Sequence, residues 1–442
     1  MCHDNSAADH ITARSIENID YATVANAVGT PCYLYSASRI RDDLHELKSA
    51  LPSALTFFYS LKANPNLSLV SLIHQQGIGC EVCSLAELET ALLAGVAPDE
   101  IIFVGPAKSS AELRRSVELG IKAVVVESQD ELTLLNQLAA ELGKRQRCAL
   151  RINPDFTPEK ARLVMSGKPR QFGIDEALAL ALIAQRDTWP HLRLCGIHIY
   201  LGTRILDAAA IAANTRNILQ LADKIQHQLG AALEFVDIGG GLGVAYYAKE
   251  TPLDLALLGA QMQASISAFQ QRNPQVQLVM ELGRFIVARS GVFVTRVRYV
   301  KTSRDKRFAI CDGGSNCHGA AAGLGSVIRK NFPLARLGVD DTAQALQPYN
   351  ISGPLCTPTD IIGEEVLLPT LQSGDLIGIF NSGAYGPTAS PVYFLSFGYP
   401  AEVLVDGDNA TIIRHPDDMA HLLRQQQATP LLLAPDLQKQ RA

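Results

Sequence analysis

Short apolar runs alternate with longer amphipathic stretches through the middle of the chain. The runs are rich in β-branched and aromatic residues, as buried strands are. The stretches between them, such as 84–95, 110–120 and 128–143, repeat apolar residues at helical spacing, and Ser or Asp often precedes them as an N-cap. Eight runs occur in sequence, at 55–61, 78–83, 101–104, 122–127, 148–153, 194–200, 234–239 and 276–282.

This alternation predicts a (β/α)8 barrel, the TIM-barrel architecture, over residues 41–290. The main alternative is a doubly wound open sheet. Such sheets seldom carry eight evenly spaced units, and no G-x-G-x-x-G motif follows the first run. The pattern therefore favours the barrel.

The pattern changes near residue 291, where helical periodicity fades. Apolar runs at 292–303, 306–314, 363–380 and 401–414 are separated by turns such as SGD and DGDN. These features predict an all-β domain, a sandwich or small barrel, over residues 291–424. Residues 1–40 contain another predicted strand at 31–40, which we expect to join that domain, and the polar tail at 425–442 is expected to be flexible.

Composition and charge exclude several classes of protein. The 442 residues include 39 basic and 44 acidic side chains, for a net charge of −5, which argues against a nucleic-acid-binding surface. No apolar run reaches the length of a membrane span, and the N-terminal residues lack the apolar core of a secretory signal. We therefore expect a cytoplasmic protein that binds neither membrane nor nucleic acid.

The nine cysteines do not suggest a disulfide framework. Cys80 and Cys83 form a C-x-x-C motif that is compatible with a redox pair or half of a zinc site. No second such motif and no histidine pair at ligand spacing follows, so buried or incidental cysteines are the favoured interpretation and no metal site is predicted.

Functional residues of such a barrel lie where its strands end. The first run ends at Lys62, which points to the barrel mouth unless it is simply a surface lysine. The seventh ends in the glycine-rich segment 237–243, which can direct backbone N–H groups at an anion; the alternative is a flexible loop. The eighth ends at Glu281, an acid that needs a partner if it is buried.

A lysine, a phosphate-binding turn and an acid together predict a pyridoxal 5'-phosphate site. In such a site the lysine amine bonds covalently to the cofactor, the turn holds its phosphate, and the acid keeps its pyridine nitrogen protonated.

The sequence resembles the fold-type III pyridoxal-phosphate decarboxylases, which include diaminopimelate, ornithine and arginine decarboxylases. The resemblance covers roughly residues 25–405. It implies a barrel with a β domain and a head-to-tail homodimer with two shared active sites. The motifs that carry it are YSLKANPN (59–66), EVCSLAEL (81–88), LRINPD (150–155), QFGID (171–175), GIHIYLGT (196–203), DIGGGLG (237–243), ELGR (281–284), GPLC (353–356) and SGAYG (382–386).

The resemblance also implies roles for individual residues. Lys62 and Cys356 are the implied catalytic residues, with Cys356 supplied by the partner subunit to reprotonate the substrate carbon after carbon dioxide leaves. Implied substrate contacts are Arg284, Asp360 and Tyr385, and His198 is a supporting residue or a packed barrel histidine. The implied cofactor-binding residues are Lys62, Tyr200, Gly239, Gly240, Gly241, Glu281, Gly283, Arg284 and Tyr385.

The sequence departs from the family pattern at several places. Tyr200 stands where a histidine usually stacks on the pyridine ring, and ELGR replaces the usual EPGR. The segment after Cys356 reads Thr-Pro-Thr-Asp instead of Glu-Ser-Gly-Asp. The arginine that usually follows the segment at 312–316 is missing, and small residues at 319–322 imply room for a larger or differently charged substrate tail.

The CTPTD and MSGKPRQFGID segments resemble a specialised biosynthetic branch. Its members act on carrier-protein-bound amino acids or on citryl-amino-acid intermediates of carboxylate siderophores. The sequence therefore predicts a decarboxylase of a siderophore or antibiotic pathway. Diaminopimelate decarboxylase of lysine biosynthesis, a non-catalytic regulator and an alanine-racemase-like isomerase are the alternatives.

Overall fold

The protein is described by a computed structural model covering residues 10–157, 163–325, 330–338 and 345–427. Residues 1–9 of the N-terminal segment and most of the polar tail lie outside this range. Eight parallel strands form the barrel, and each coincides with one predicted run. They are, as barrel strands 1 to 8, Leu55–Ser60, Gly79–Val82, Ile101–Phe103, Ala123–Val126, Gln146–Asn153, Leu192–His198, Phe235–Gly240 and Gln277–Leu282.

The barrel closes because its last strand pairs with its first. Leu278 lies opposite Leu55 in parallel register, and the other strands pair in chain order around the ring. Large aliphatic and aromatic side chains fill the layer between the strands and the helices. The predicted (β/α)8 barrel is therefore confirmed.

Helices follow the strands as the periodicity predicts. Ser84, Ser109 and Ser128 each cap a helix by accepting a backbone N–H with the side chain, and Glu112 completes a capping box with Ser109. The helices are Tyr21–Val28, Ala37–Ala50, Leu67–His74, Leu85–Leu93, Ser110–Leu119, Gln129–Glu141, Glu176–Ala184, Ala208–Leu229, Leu255–Arg272, Arg284–Val287 and Met419–Leu423. Among the described helices, none is long and apolar enough to cross a membrane.

A mixed β-sheet domain follows the barrel. Its strands are Gly291–Ser303, Lys306–Cys311, Leu334–Arg336, Gln347–Ser352, Ile361–Leu368, Leu376–Ile379, Ala401–Asp406 and Asn409–Arg414. The early strand Cys32–Ser36 pairs on one side with residues 291–294 and on the other with residues 401–405. The N-terminal part of the chain therefore supplies a central strand of this sheet.

Short strands complete the description. Ser15–Ile16 and Ile19–Asp20 form a hairpin, and Leu163–Val164 pairs with Gly202–Thr203. Ile174–Asp175 pairs in parallel with the end of barrel strand 5.

The two domains meet at the C-terminal rim of the barrel. The backbone N–H of Tyr385 donates to the Ala63 carbonyl at 2.8 Å, and the Asn64 amide donates to the Gly383 carbonyl at 3.1 Å. These bonds fix a β-domain loop directly beside the turn that carries Lys62.

Candidate active site

Lys62 lies in a 3-10 turn, Leu61–Ala63, immediately after barrel strand 1. Its Nζ is 2.9 Å from both carboxylate oxygens of Glu81, an entirely buried residue of barrel strand 2. Burial alone would lower the pKa of the Lys62 amine, but the negative charge of Glu81 outweighs it and raises that pKa well above its usual value. The amine is therefore held protonated beside the Glu81 carboxylate.

Glu281, on barrel strand 8, lies within a buried network. Its Oε2 is 3.2 Å from the His198 Nε2, and Asp237 adds a second carboxylate within the same cluster. Burial opposes ionisation of Glu281, but the interactions with His198 and Lys62 prevail and lower its pKa to about 2. Burial and the charge of Glu281 raise the pKa of Asp237. The pKa values of the two carboxyl groups are therefore shifted in opposite directions.

The glycine turn after barrel strand 7 is packed against neighbouring backbone. A Cβ at Gly240 would lie 1.7 Å from the Glu281 carbonyl oxygen, and one at Gly241 would lie 2.0 Å from that of Gly202. Gly239 and Gly241 also have φ values of +68° and +85°, which favour glycine. Only glycine lets this turn approach barrel strand 8 so closely.

Arginine and tyrosine side chains form the other side of the site. The Arg284 guanidinium lies 4.5 Å from the centre of the Tyr385 ring, and its Nη1 donates to the Tyr246 hydroxyl at 3.0 Å. Lys62 Nζ is 5.7 Å from the centre of the Tyr200 ring. The cationic groups thus face a cavity walled by aromatic rings.

One cavity brings most of these residues together. Of the predicted cofactor-binding residues, Lys62, Tyr200, Gly241, Glu281, Gly283, Arg284 and Tyr385 line it. Gly239 and Gly240 instead shape the adjoining turn, and His198 lies behind Glu281, 1% exposed.

Cys356 and Asp360 lie apart from this cavity, on the loop between strands Gln347–Ser352 and Ile361–Leu368. Cys356 is exposed. Asp360 is buried, and its two oxygens accept the backbone N–H groups of Ser315 at 2.6 Å and Leu355 at 2.7 Å. Within this chain Asp360 therefore connects two loops through hydrogen bonds. The resemblance instead implied that Asp360 contacts the substrate.

The sequence reasoning assigned no role in this site to four further residues: Glu81, Cys83, Thr203 and Tyr246. Cys83 donates from its thiol to Glu81 at 3.0 Å, and Thr203 lines the cavity. Glu81 could have been found, because it lies near the end of barrel strand 2, where the rim rule applies. Cys80, the other cysteine of the C-x-x-C motif, is buried in the main core, and both Cys80 and Cys83 are free thiols.

The cavity has the features that pyridoxal phosphate requires. Glu281 Oε1 and Arg284 Nε are buried and have no hydrogen-bond partner among the described residues, so each can bond to a ligand group. The lysine amine would form the covalent link to such a cofactor, the acid would accept a hydrogen bond from its protonated ring nitrogen, and the arginine beside the glycine turn would hold its phosphate.

The chain belongs to the pyridoxal-dependent decarboxylases. The model of that family's pyridoxal-binding domain matches residues 37–288, more than half of the chain. The chain is accordingly a pyridoxal-phosphate-dependent carboxy-lyase, and the alternatives of a regulator and a racemase are set aside.

Two curated relatives illustrate the range of the family. The chain is 36% identical to the L-glutamyl-[BtrI acyl-carrier protein] decarboxylase of Niallia circulans, over 90% of this chain and 94% of that protein. It is 33% identical to a diaminopimelate decarboxylase of Vibrio cholerae, over 92% and 94% of the two chains. Both alignments run through the barrel and the β domain.

Solved structures have the same architecture. The diaminopimelate decarboxylase of Helicobacter pylori complexed with L-lysine superposes with a TM-score of 0.82 at 29% identity, covering 92% of this chain and 98% of that one. The predicted combination of an alanine-racemase-like barrel and a β-rich domain is therefore confirmed.

Proposed function

We propose that this enzyme removes the α-carboxylate of an amino-acid-derived substrate whose side chain carries an extension, in the biosynthesis of a specialised metabolite such as a carboxylate siderophore or an antibiotic. The extension is either a citryl group or the linkage to a carrier protein. Relatives with diaminopimelate decarboxylase activity make meso-diaminopimelate the competing substrate.

The observation that carries the proposal is the altered wall beside the cavity. The family arginine after residue 316 is missing, and His318 and the small residues Gly319 and Ala320 stand in that region. The His318 ring packs 5.2 Å from Phe332, which packs 4.7 Å from Tyr246, the hydrogen-bond partner of Arg284. A zwitterionic diaminopimelate tail would lose an expected cationic partner here, whereas a larger tail gains space.

The residues of the chain divide the chemistry among them. Lys62 would hold the cofactor covalently, and Glu281 would keep a proton on its ring nitrogen. The residues that would bind its phosphate are Gly239, Gly240, Gly241, Gly283 and Arg284. When bound, the cofactor accepts the electrons that the departing carboxylate leaves behind. Glu81 lies 2.9 Å from the Lys62 Nζ and holds that amine at the cavity, which the rings of Tyr200 and Tyr385 also line.

We also propose that the enzyme works as a homodimer. Cys356 is exposed on the β domain and is not part of the Lys62 cavity of its own chain, which fits a thiol delivered to the other subunit's site. There it would donate a proton to the substrate α-carbon, which directs the reaction to an amine.

The experiment is a substrate comparison with the purified holoenzyme. Three compounds are tested at matched concentrations: an N-citryl diamino acid, L-glutamate attached to an acyl-carrier protein, and meso-diaminopimelate. Carbon dioxide release and the mass of the amine product are measured. We expect one extended substrate to exceed diaminopimelate in kcat/KM by at least about tenfold, equivalent to about 1.4 kcal/mol. A preference for diaminopimelate would contradict the proposal and assign the enzyme to lysine biosynthesis.

A further inference from the structure

Arg204 occupies an unusual position directly after Thr203, which lines the cavity. Its backbone φ is +61°, a left-handed conformation that is costly for a side chain other than glycine, asparagine or aspartate. The next residue anchors it: Ile205 N–H donates to the Gly241 carbonyl at 3.0 Å, and Gly243 N–H donates to the Ile205 carbonyl at 2.8 Å. The glycine turn therefore holds Arg204 in place despite the strained backbone.

The Arg204 guanidinium has no anionic partner among the residues that the structure describes. Its Nη2 atom is buried and makes no hydrogen bond, and the side chain forms no ion pair with any residue in the described parts of the chain. What it does contact are two aromatic rings, with its Cζ 5.3 Å from the centre of Tyr246 and 5.6 Å from that of Tyr247. A partly buried cation without a counter-charge among its described neighbours can have its charge balanced by a ligand.

Other cations surround the same rings. Lys330, an exposed residue, has its Nζ 5.2 Å from the centre of Tyr247, and Arg284 bonds to the Tyr246 hydroxyl. The nearby acid, Glu250, uses one carboxylate oxygen to accept the backbone N–H groups of Tyr246 and Tyr247. The charges around the two tyrosines are therefore mainly positive.

We infer that Arg204, together with Lys330, binds a carboxylate at the distal end of the substrate, so that the enzyme selects substrates with an anionic tail. The inference rests on the proposed function, which it deepens by naming the charge of the extension. Arg204 is a specificity-determining residue in this scheme, because it lies beyond the residues that hold the reacting end.

Two features separate this site from the phosphate site of the cofactor. Arg284 and the glycine turn adjoin Lys62 in the cavity, whereas Arg204 does not line it. Arg204 instead shares the Tyr247 ring with the exposed Lys330, toward solvent. A substrate that reaches from Lys62 past Tyr246 would bring its tail to this second pair of cations.

The test measures anion binding without turnover. Tricarballylate, a simple tricarboxylate, is titrated calorimetrically into the holoenzyme at fixed ionic strength. We expect binding by the wild type, about tenfold weaker binding by Arg204→Gln, and a smaller loss in Lys330→Gln, whose exposed side chain is not needed for folding. Arg204→Lys should retain part of the affinity. Arg216→Gln, which removes an exposed charge from the helix Ala208–Leu229, is the matched control and should bind as the wild type does.

The affinity of each variant for pyridoxal phosphate is measured in parallel. Equal tricarballylate affinity in Arg204→Gln, Lys330→Gln and Arg216→Gln, or no binding by the wild type, would overturn the inference. So would weaker pyridoxal phosphate binding by Arg204→Gln with tricarballylate binding unchanged, since the cofactor phosphate would then be the anion. If the Arg204-dependent binding is present but no extended substrate is decarboxylated, the proposed function fails and the anion site stands.

Discussion

Lys62 combines two properties that its position imposes. It projects from a turn at the rim of the barrel, and its charged amine forms an ion pair with the buried carboxylate of Glu81. Glu81 is fully buried but the Lys62 side chain is partly exposed, so the ion pair contributes little to stability, although it holds the amine in one place. The ion pair therefore matters for function because it positions the reactive nitrogen of Lys62.

Replacing Lys62 with alanine tests this assignment. Lys62→Ala should lower turnover by several orders of magnitude and remove the visible absorbance of lysine-bound cofactor, because no other group can supply the covalent link. Both are measured on the purified variant. Lys224→Ala, which removes an exposed helical lysine, should retain both properties. Substantial turnover by Lys62→Ala would exclude the assigned role.

Glu281 is expected to act through its charge. Glu281→Gln keeps the shape of the side chain but removes the negative charge that favours a protonated ring nitrogen. Cofactor binding should remain detectable while the rate of decarboxylation falls strongly in single-turnover measurements. A variant with nearly normal rates would mean that the acid is structural, a member of the network with His198 and Asp237 only.

At the scale of elements, the end of barrel strand 7 packs against barrel strand 8 with no room for a side chain at Gly240. Their pairing shifts register between Asp237 and Gly240, and the glycine turn fills the resulting bend. The same turn anchors the Arg204 loop through backbone hydrogen bonds. One backbone feature therefore positions both the proposed phosphate site and the proposed anion site.

The close approach predicts the effect of a single methyl group. Gly240→Ala would place Cβ against the Glu281 carbonyl, so the turn must move, and pyridoxal phosphate affinity should fall at least about tenfold, or about 1.4 kcal/mol. Gly143→Ala is the control, because Gly143 has open space around it and its φ of +62° costs only about 1–2 kcal/mol of stability. Its cofactor affinity, measured by equilibrium titration, should not change. Equal affinities in the two variants would contradict a packed phosphate turn.

At the scale of the whole molecule, two loops of the β domain are placed differently relative to the barrel site. Its loop with Tyr385 closes over Lys62 in the same chain, held by the Ala63 carbonyl. Its other loop, with Cys356, is exposed and separate from that cavity. A site completed by a second subunit accounts for both placements.

Mixing two inactive variants tests the shared site. Lys62→Ala and Cys356→Ala subunits, allowed to exchange, should recover up to about a quarter of native activity, because about half of random dimers are mixed and one of their two sites is intact. Each variant alone, taken through the same exchange, is the control. No recovery despite demonstrated subunit exchange would mean that each site is built within one chain.

Local patterns in the sequence determined the barrel. Strand periodicity, serine caps and rim residues such as Lys62 and Glu281 are encoded within a few neighbouring residues, so the eight strands, Lys62, Glu281 and the glycine turn could be predicted from the sequence pattern. Other cavity residues, such as Tyr200, Arg284 and Tyr385, were expected only from the resemblance to the family. The strands Leu334–Arg336 and Gln347–Ser352 were missed because they are short or carry polar residues, which leaves a weak alternation.

Only the tertiary structure decided which side chains meet. The carboxylate of Glu81 reaches Lys62 from the next barrel strand, and His198 contacts Glu281 although the two are 83 positions apart. Asp360 accepts a hydrogen bond from the backbone of Ser315, 45 residues earlier in the chain. That Arg204 has no anionic partner within the described ranges also became visible only there, because a missing partner cannot be read from a linear pattern. Periodicity reports which face of an element is buried, whereas contacts between distant residues depend on strand register and on the closure of the barrel.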